Sequence, residues 1–233
     1  MSNKGIVVIT GGGRGIGAAC AQLFHQNGYK VFLAARTENE LKQVCHALDP
    51  SGESAAYAVV DLKKEVSVQL ILERCKKQLG VPTILINNAG RVHLAKIVNE
   101  DLRQWRDTFA VNLDAVLILT QQALRVMPAG SSIINVSSIS GVYNTEKLPK
   151  LAAYSASKAG LIALSEVTAV EGKEKNITCV CISPGSVETR MLRSVAGPQF
   201  PKGAAPETVA QAIFEAATTK REQWNGKNVE LFR

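Results

Sequence analysis

The stretch GIVVITGGGRGIG, residues 5–17, joins a run of β-branched residues to a glycine-rich turn. The apolar run that ends at Thr10 predicts a buried strand, and the residues after Gly17 follow a helical pattern to about Gly28. A strand, a glycine turn and a helix in this order direct the first backbone amides of the helix toward a bound anion. The stretch therefore predicts the first βα unit of an α/β fold, with a phosphate site at its turn.

The rest of the chain repeats this alternation of short apolar runs and longer amphipathic segments. Predicted strands cover residues 5–10, 29–35, 54–62, 83–90, 131–138, 176–183 and 227–232, and predicted helices include 64–79, 100–127, a segment from about 153 to 175, and one beginning near Pro206. Continuously apolar strands that alternate with helices are typical of a parallel sheet covered on both faces. We expect a single domain over residues 1–233, with a doubly wound, Rossmann-like α/β fold of about seven strands.

Composition excludes several classes of protein. The chain has 233 residues, of which 46% are hydrophobic and 20% charged, and no apolar run approaches the length of a membrane span. Its N-terminus does not resemble a signal peptide, so we expect a cytoplasmic protein with no membrane partner. The net charge of +7 is spread over scattered lysines and arginines, and only 5% of residues are aromatic, which argues against nucleic-acid binding. Five cysteines without C-x-x-C spacing predict reduced core thiols and no metal site.

The glycine turn has the spacing G-x-x-x-G-x-G at Gly11, Gly15 and Gly17, with Gly13 between the first two. This spacing suits a dinucleotide pyrophosphate by its position after the first strand, although it is neither the G-x-G-x-x-G fingerprint nor a P-loop. A glycine-rich turn without a ligand is the alternative.

The end of the second strand indicates which dinucleotide is bound. A carboxylate that binds the ribose 2′-hydroxyl of NAD is expected there, but the sequence reads Ala-Ala-Arg-Thr, with Arg36 in that place. A guanidinium binds a 2′-phosphate through charge-assisted hydrogen bonds, and Arg14 in the glycine turn can reach the same group. The two arginines favour NADP over NAD.

Tyr154 and Lys158 are four residues apart in the segment KLAAYSASKAGL, residues 150–161. On a helix they share one face, which makes them either a catalytic pair or an exposed aromatic beside an exposed charge. The spacing alone leaves both interpretations open.

Three motifs in a fixed order resolve this ambiguity. TGGGRGIG (10–17), NNAG (87–90) and Y-S-A-S-K (154–158) follow one another on a βα-alternating chain, which resembles the short-chain dehydrogenase/reductase family over essentially its whole length. The resemblance implies four catalytic residues: Asn112, Ser138, Tyr154 and Lys158. It implies that the cofactor is bound by Gly11, Gly13, Arg14, Gly15, Ile16, Gly17, Arg36, Asp61, Leu62, Asn88, Ala89, Gly90, Tyr154, Lys158, Pro184, Gly185, Val187 and Thr189.

The resemblance also implies an activity, the NADP(H)-dependent interconversion of a small carbonyl compound and its alcohol. Tyr154 would act as acid and base, and the Lys158 ammonium would lower its pKa and hold the nicotinamide ribose. Ser138 would polarise the carbonyl, with Ser137 and Ser140 as rival serines, and Asn112 would hold a water in a proton relay. Alternatives are a β-ketoacyl-acyl carrier protein reductase specifically and a non-catalytic NADP(H)-binding sensor.

Two departures from the family pattern concern the substrate. Ser138 and Tyr154 are sixteen positions apart, more than is usual in the family, and the extra residues fall in a polar loop at 144–150. Only 48 residues follow Gly185, so the segment at 190–205 that would cover the substrate is short and predicts an open pocket. The family commonly forms homodimers and homotetramers, here through the helices at about 100–127 and 153–174.

Overall fold

A parallel sheet forms the centre of the molecule. The computed structural model describes residues 4–196 and 203–232, and within these residues the sheet has seven strands in the order β3-β2-β1-β4-β5-β6-β7, all parallel. The strands are β1 (Ile6–Thr10), β2 (Lys30–Ala35), β3 (Ala55–Val59), β4 (Ile84–Asn87), β5 (Ser132–Val136), β6 (Thr178–Pro184) and β7 (Asn228–Leu231). The predicted doubly wound, Rossmann-like fold with about seven strands is confirmed.

Ten α-helices connect or follow these strands in the described residues. They are α1 (Gly15–Gln26), α2 (Glu38–Leu48), α3 (Glu65–Gln69), α4 (Ile71–Gln78), α5 (Leu102–Phe109), α6 (Ala115–Val126), α7 (Ala152–Glu171), α8 (Arg190–Ala196), α9 (Pro206–Ala217) and α10 (Arg221–Trp224). Two predicted helices are interrupted. The segment 64–79 is divided at Leu70, and the segment 100–127 contains a π-helical turn, Ala110–Asp114, between α5 and α6.

Each face of the sheet buries its own apolar core. Alternate side chains of a strand point to opposite faces, so Val7 belongs to one core and Val8 to the other. The first core lies under α1, α2 and α9 and contains Phe24 and Ile213. The second lies under α4 and α6, with Leu119 among its fully buried residues. Burial on both faces explains why the strands are apolar throughout.

The strand order reverses between β1 and β4. From β1 the chain continues outward through β2 and β3, then returns to place β4 on the other side of β1. In open α/β sheets, ligands bind at the carboxyl ends of the strands beside such a reversal. Here those ends are Thr10 and Asn87, with Val136 and Pro184 on the next two strands.

Three expectations from composition can be compared with the described residues. All five cysteines are free and buried, as predicted. Among residues 4–196 and 203–232, no cluster of histidine, cysteine and carboxylate side chains suits a metal ion. No helix in this part of the chain has the length and apolarity that crossing a membrane requires.

Candidate active site

The glycine turn is fastened to the turn that follows β4. The Thr10 hydroxyl accepts hydrogen bonds from the backbone amides of Asn88 and Ala89, both at 3.1 Å. The Asn88 side chain in turn donates to the carbonyl oxygens of Thr10 at 2.9 Å and Gly11 at 3.3 Å. The two predicted cofactor turns therefore form one unit at the strand-order reversal.

Close backbone approach explains the glycines of this turn. A Cβ atom at Gly17 would lie 2.3 Å from the Gly11 carbonyl oxygen, and Gly11 and Gly15 have left-handed φ angles of +68° and +55°. The helix α1 begins at Gly15, and its N-cap residue, Arg14, provides no capping side chain. Its first amides are therefore available to phosphate oxygens, which fits the pyrophosphate of a dinucleotide.

The two predicted phosphate-binding arginines differ in their surroundings. Arg36 is exposed just after β2 and makes no ion pair or hydrogen bond with the part of the chain that the structure describes. The nearest acid in sequence, Glu38, is paired with Lys42 at 2.9 Å. Arg14 instead binds both carboxylate oxygens of Glu40, at 2.9 and 3.1 Å, which the sequence did not indicate.

The predicted adenine contacts lie after β3. Leu62 is buried, and the Asp61 carboxylate accepts a hydrogen bond from the Lys63 amide at 3.1 Å. Because β3 pairs with β2 in parallel, Asp61 and Leu62 follow the same end of the sheet as Arg36.

Tyr154, Lys158 and Ser138 come together at the start of α7. The Lys158 ammonium is 3% exposed, donates to the Val136 carbonyl oxygen at 2.7 Å, and lies 5.8 Å from the centre of the Tyr154 ring. The Ser138 side chain is near enough to Tyr154 to act on the pKa of its phenol. The Ser138 hydroxyl also accepts from the Ser140 amide at 3.1 Å.

The two rival serines have other partners. Ser137 is buried and donates to the Lys158 carbonyl oxygen at 2.8 Å, which holds the α7 backbone against β5. Ser140 contributes its backbone amide to Ser138. Of the three serines, Ser138 is the one whose side chain acts on the pKa of Tyr154.

Burial shifts the pKa values of this pair in opposite directions. It lowers the pKa of Lys158 to about 8, and the buried Cys181 thiol opposes this shift. Burial raises the pKa of Tyr154, and the hydrogen bond with Ser138 opposes that rise. The expected lowering of the Tyr154 pKa by Lys158 is thus not seen in this structure, in which the ammonium donates to the Val136 carbonyl.

Asn112 lies in the π-helical turn, where its side-chain amide connects two other segments. Its oxygen accepts from the Arg91 amide at 2.8 Å, and its nitrogen donates to the Arg91 carbonyl at 3.0 Å and to the Ser157 hydroxyl at 2.9 Å. Ser157 donates onward to the Tyr154 carbonyl at 2.8 Å. Ser157 was not predicted. Its only sequence signal is its place beside Lys158 in the motif.

Gly90 lies where these groups converge. A Cβ atom at Gly90 would be 3.4 Å from the Met191 methyl carbon, 3.8 Å from the Asn112 side-chain oxygen and 3.8 Å from the Lys158 nitrogen. The turn after β4 therefore lies at van der Waals distance from the buried lysine and from Asn112.

Comparisons with known proteins agree with this geometry. The family model of the short chain dehydrogenases matches residues 5–199. An uncharacterized oxidoreductase of Staphylococcus aureus is 32% identical over 215 residues, which cover 91% of this chain and 90% of that protein. The chain belongs to the short-chain dehydrogenase/reductase family of oxidoreductases.

Solved structures show the same fold at lower identity. The blue fluorescent protein from a metagenomic library, in complex with NADPH, has a TM-score of 0.90 and 23% identity, covering 98% of this chain and 96% of that chain. A short chain dehydrogenase from Burkholderia cenocepacia, in complex with NADP, has a TM-score of 0.89 and 24% identity, covering 97% and 95%.

The segment that follows β6 in this dehydrogenase/reductase fold is held by backbone contacts. Pro184 ends the strand, the Gly185 amide donates to the Leu231 carbonyl at 2.8 Å, and Val187 is 5% exposed. The Thr189 hydroxyl accepts from the Leu192 amide at 3.2 Å, inside the first turn of α8.

The predicted extra loop packs beside the start of α7. The Lys150 carbonyl oxygen accepts a hydrogen bond from the Ala95 amide at 3.1 Å, and Lys150 and Asn144 have left-handed φ angles of +68° and +54°. The loop thus contacts the segment after β4 just before Tyr154. The predicted short covering segment, 190–205, includes α8, and its residues 197–202 lie outside the described residues.

Proposed function

We propose that the chain is an NADP(H)-dependent oxidoreductase that interconverts a ketone or aldehyde and the corresponding alcohol. One observation carries the proposal. Ser138, Tyr154 and Lys158 meet next to Gly90, close to the strand-order reversal where α/β sheets bind dinucleotides. A bound nicotinamide would supply or accept the hydride.

Ser138 and Tyr154 are suited to act on a carbonyl oxygen. The Ser138 hydroxyl accepts from the Ser140 amide, which leaves its proton available to polarise the substrate oxygen. In reduction, Tyr154 gives its phenolic proton to that oxygen as the alcohol forms. In oxidation, Tyr154 takes the proton back. This transfer is most efficient when the pKa of Tyr154 is close to the pH of the reaction.

Lys158 supplies the positive charge of the site. Its ammonium is buried beside the Tyr154 ring, where a charge acts more strongly than in water. We propose that Lys158 holds the ribose hydroxyls of the cofactor and favours the phenolate form of Tyr154 during the reaction.

Asn112 has a structural part in this proposal besides its part in the proton relay. Three of its hydrogen bonds go to Arg91 and Ser157, so its side-chain oxygen keeps one acceptor position for a relay water. We infer that the π-helical turn exists to place this amide between the turn after β4 and α7.

The choice of NADP over NAD rests on charge. Arg36 is exposed and unpaired among the described residues at the position where NAD-binding folds place a carboxylate, and Glu38 is engaged by Lys42. The solved structures of similar fold in complex with NADPH and NADP add support.

The wider properties follow from family membership. We propose one cofactor-binding domain over residues 1–233, a cytoplasmic location, no nucleic-acid or membrane partner, and a homodimer or homotetramer. Exposed apolar side chains on α6 and α7, among them Leu117, Val167 and Val170, suit such an interface, and light scattering of the purified protein tests it.

A screen of NADPH oxidation over acetoacetyl thioesters, diketones, quinones and sugar ketones tests the proposed activity. For any substrate that is turned over, Tyr154→Phe should lower kcat/KM by about 10²–10⁴-fold, because the phenylalanine has no proton to transfer. The affinity for NADPH, measured through the fluorescence of the cofactor, should change little.

Tyr143→Phe is the matched control, because Tyr143 is 86% exposed in the loop before α7. It should leave turnover unchanged. Full turnover in Tyr154→Phe would refute the proposed role of Tyr154, and NADPH binding without turnover of any carbonyl class would favour the sensor.

A further inference from the structure

A carboxylate bridges two arginines at the edge of the glycine turn. One oxygen of Glu40, in α2, lies 2.9 Å from the Arg14 guanidinium and 3.2 Å from the Arg190 guanidinium. Arg14 belongs to the glycine turn, and Arg190 is the first residue of α8. A single carboxylate therefore connects the proposed cofactor site to the helix that follows Thr189.

Close packing holds the three segments in this arrangement. A Cβ atom at Gly13 would lie 3.1 Å from the Glu40 Cβ, and one at Gly15 would lie 3.2 Å from the Thr189 methyl group. The glycine turn thus packs closely against the Glu40 and Thr189 side chains, which keeps α2 and the start of α8 beside Arg14.

The charges at this edge suit a phosphate monoester. Arg14, Arg36 and Arg190 carry three positive charges, and Glu40 is the carboxylate that contacts two of them. The nearby Glu38 is engaged by Lys42. The excess of about two positive charges matches a phosphate group, which carries about −1.5 to −2 at neutral pH.

We propose that Arg190 is a third cation of the 2′-phosphate site, and that Glu40 holds it there. Binding of the phosphate then fixes α8 against the glycine turn. This inference rests on the proposed use of NADP(H). The inference gives Arg190 a role in cofactor selection, although Arg190 lies neither in the glycine turn nor at the end of β2.

Met191, the residue after Arg190, connects the Arg190–Glu40 contact to the candidate active site. The Met191 methyl carbon lies beside Gly90, the glycine that the Lys158 nitrogen and the Asn112 oxygen also approach. When phosphate binding fixes Arg190, it also fixes this wall of the site. NAD has no 2′-phosphate and would add no contact of this kind to Arg190.

Binding of 2′,5′-ADP and of ADP, measured by calorimetry, tests the proposal without any catalytic step. The unmodified chain should bind 2′,5′-ADP more tightly than ADP. Arg190→Gln should weaken 2′,5′-ADP by about five- to tenfold, because a charge-assisted contact is lost, and should change ADP binding less than twofold. Arg193→Gln, on the same helix and 80% exposed, is the control and should change neither.

Hydrogen exchange of the α8 amides provides a second readout. In the unmodified chain, 2′,5′-ADP should slow exchange in α8 more than ADP does, and Arg190→Gln should abolish the difference. If Arg190→Gln keeps the full preference for 2′,5′-ADP, or weakens both nucleotides equally, the role of Arg190 is wrong although NADP(H) binding stands. If the unmodified chain does not prefer 2′,5′-ADP, the proposed cofactor is wrong as well.

Discussion

Two polar groups on either side of the strand-order reversal differ in their contact with water. The phosphate-side group, Arg14, Glu40 and Arg190, has side chains that are 47%, 21% and 69% exposed. The buried group, Asn112, Ser157 and Lys158, is 0%, 0% and 3% exposed.

Exposure decides what each group can do. Ion pairs in water contribute little to stability and rearrange readily, so the arginines of the phosphate-side group can accept a phosphate beside Glu40. Buried hydrogen bonds are costly to leave unmade, so the buried group holds one arrangement. The proposed cofactor selection thus lies where ion pairs rearrange easily, and the proposed chemistry lies where the geometry is fixed.

The largest expected effect concerns Lys158. We expect Lys158→Met to lower kcat/KM by about 10²–10⁴-fold, because the buried charge beside Tyr154 is lost. The same change should raise the free energy of unfolding at pH 7 by about 1–3 kcal/mol, because burying an ammonium costs folding free energy.

The pH dependence of this increase in unfolding free energy tests whether the buried charge of Lys158 causes it. Burial lowers the folded-state pKa of Lys158 to about 8, so between this pH and the ordinary pKa of lysine the unfolded chain binds more protons than the folded one. The free energy of unfolding of the unmodified chain should rise as the pH increases through this interval. The difference in unfolding free energy between Lys158→Met and the unmodified chain should therefore be largest below pH 8 and decrease above it. Urea denaturation at several pH values measures this, with the exposed Lys173→Met as control. A gain that does not vary with pH would contradict the explanation.

A smaller effect is expected at Ser157. Ser157→Ala leaves one Asn112 amide proton without its partner in a fully buried place, and it removes the second hydrogen bond of the Tyr154 carbonyl. We expect the free energy of unfolding to fall by about 1–3 kcal/mol, measured by urea denaturation. Ser155→Ala, two residues earlier on the same helix and only partly buried, should have little effect. Equal losses in both variants would show that Ser157 is an ordinary helix residue.

The smallest effect is expected at Arg36. Because this guanidinium is exposed and unpaired in the described part of the chain, Arg36→Gln should leave stability unchanged. It should weaken NADP(H) binding about tenfold and NAD(H) binding hardly at all, as measured by cofactor fluorescence. Equal weakening of both cofactors would place Arg36 away from the 2′-phosphate.

The fold was predictable because local pattern and sheet topology agree in this chain. Runs such as 5–10 and 176–183 are mostly apolar, and both form parallel strands with a neighbour on each side. The π-helical turn at Ala110–Asp114 was missed because one extra residue barely changes the apolar periodicity of the segment 100–127. The break at Leu70 has no glycine or proline to announce it.

Only the site residues that belong to sequence motifs could be predicted. The order and spacing of the motifs are sufficient to predict that Ser138, Tyr154 and Lys158 lie together. The contact between Glu40 and Arg190 was not predictable, because it joins residues 150 positions apart through the packing of two helices. The bond from Asn112 to Ser157 likewise depends on how the π-helical turn faces α7.

Hydride transfer itself is the most direct test of the central claim, that the buried group and Tyr154 carry out carbonyl chemistry. The chain is incubated with a carbonyl substrate found by the screen and with NADPH deuterated at the transferring position of the nicotinamide. We expect one deuterium on the former carbonyl carbon of the alcohol, detected by mass spectrometry, and almost none with Tyr154→Phe. Alcohol formed without the label, or labelled equally by Tyr154→Phe, would contradict the account.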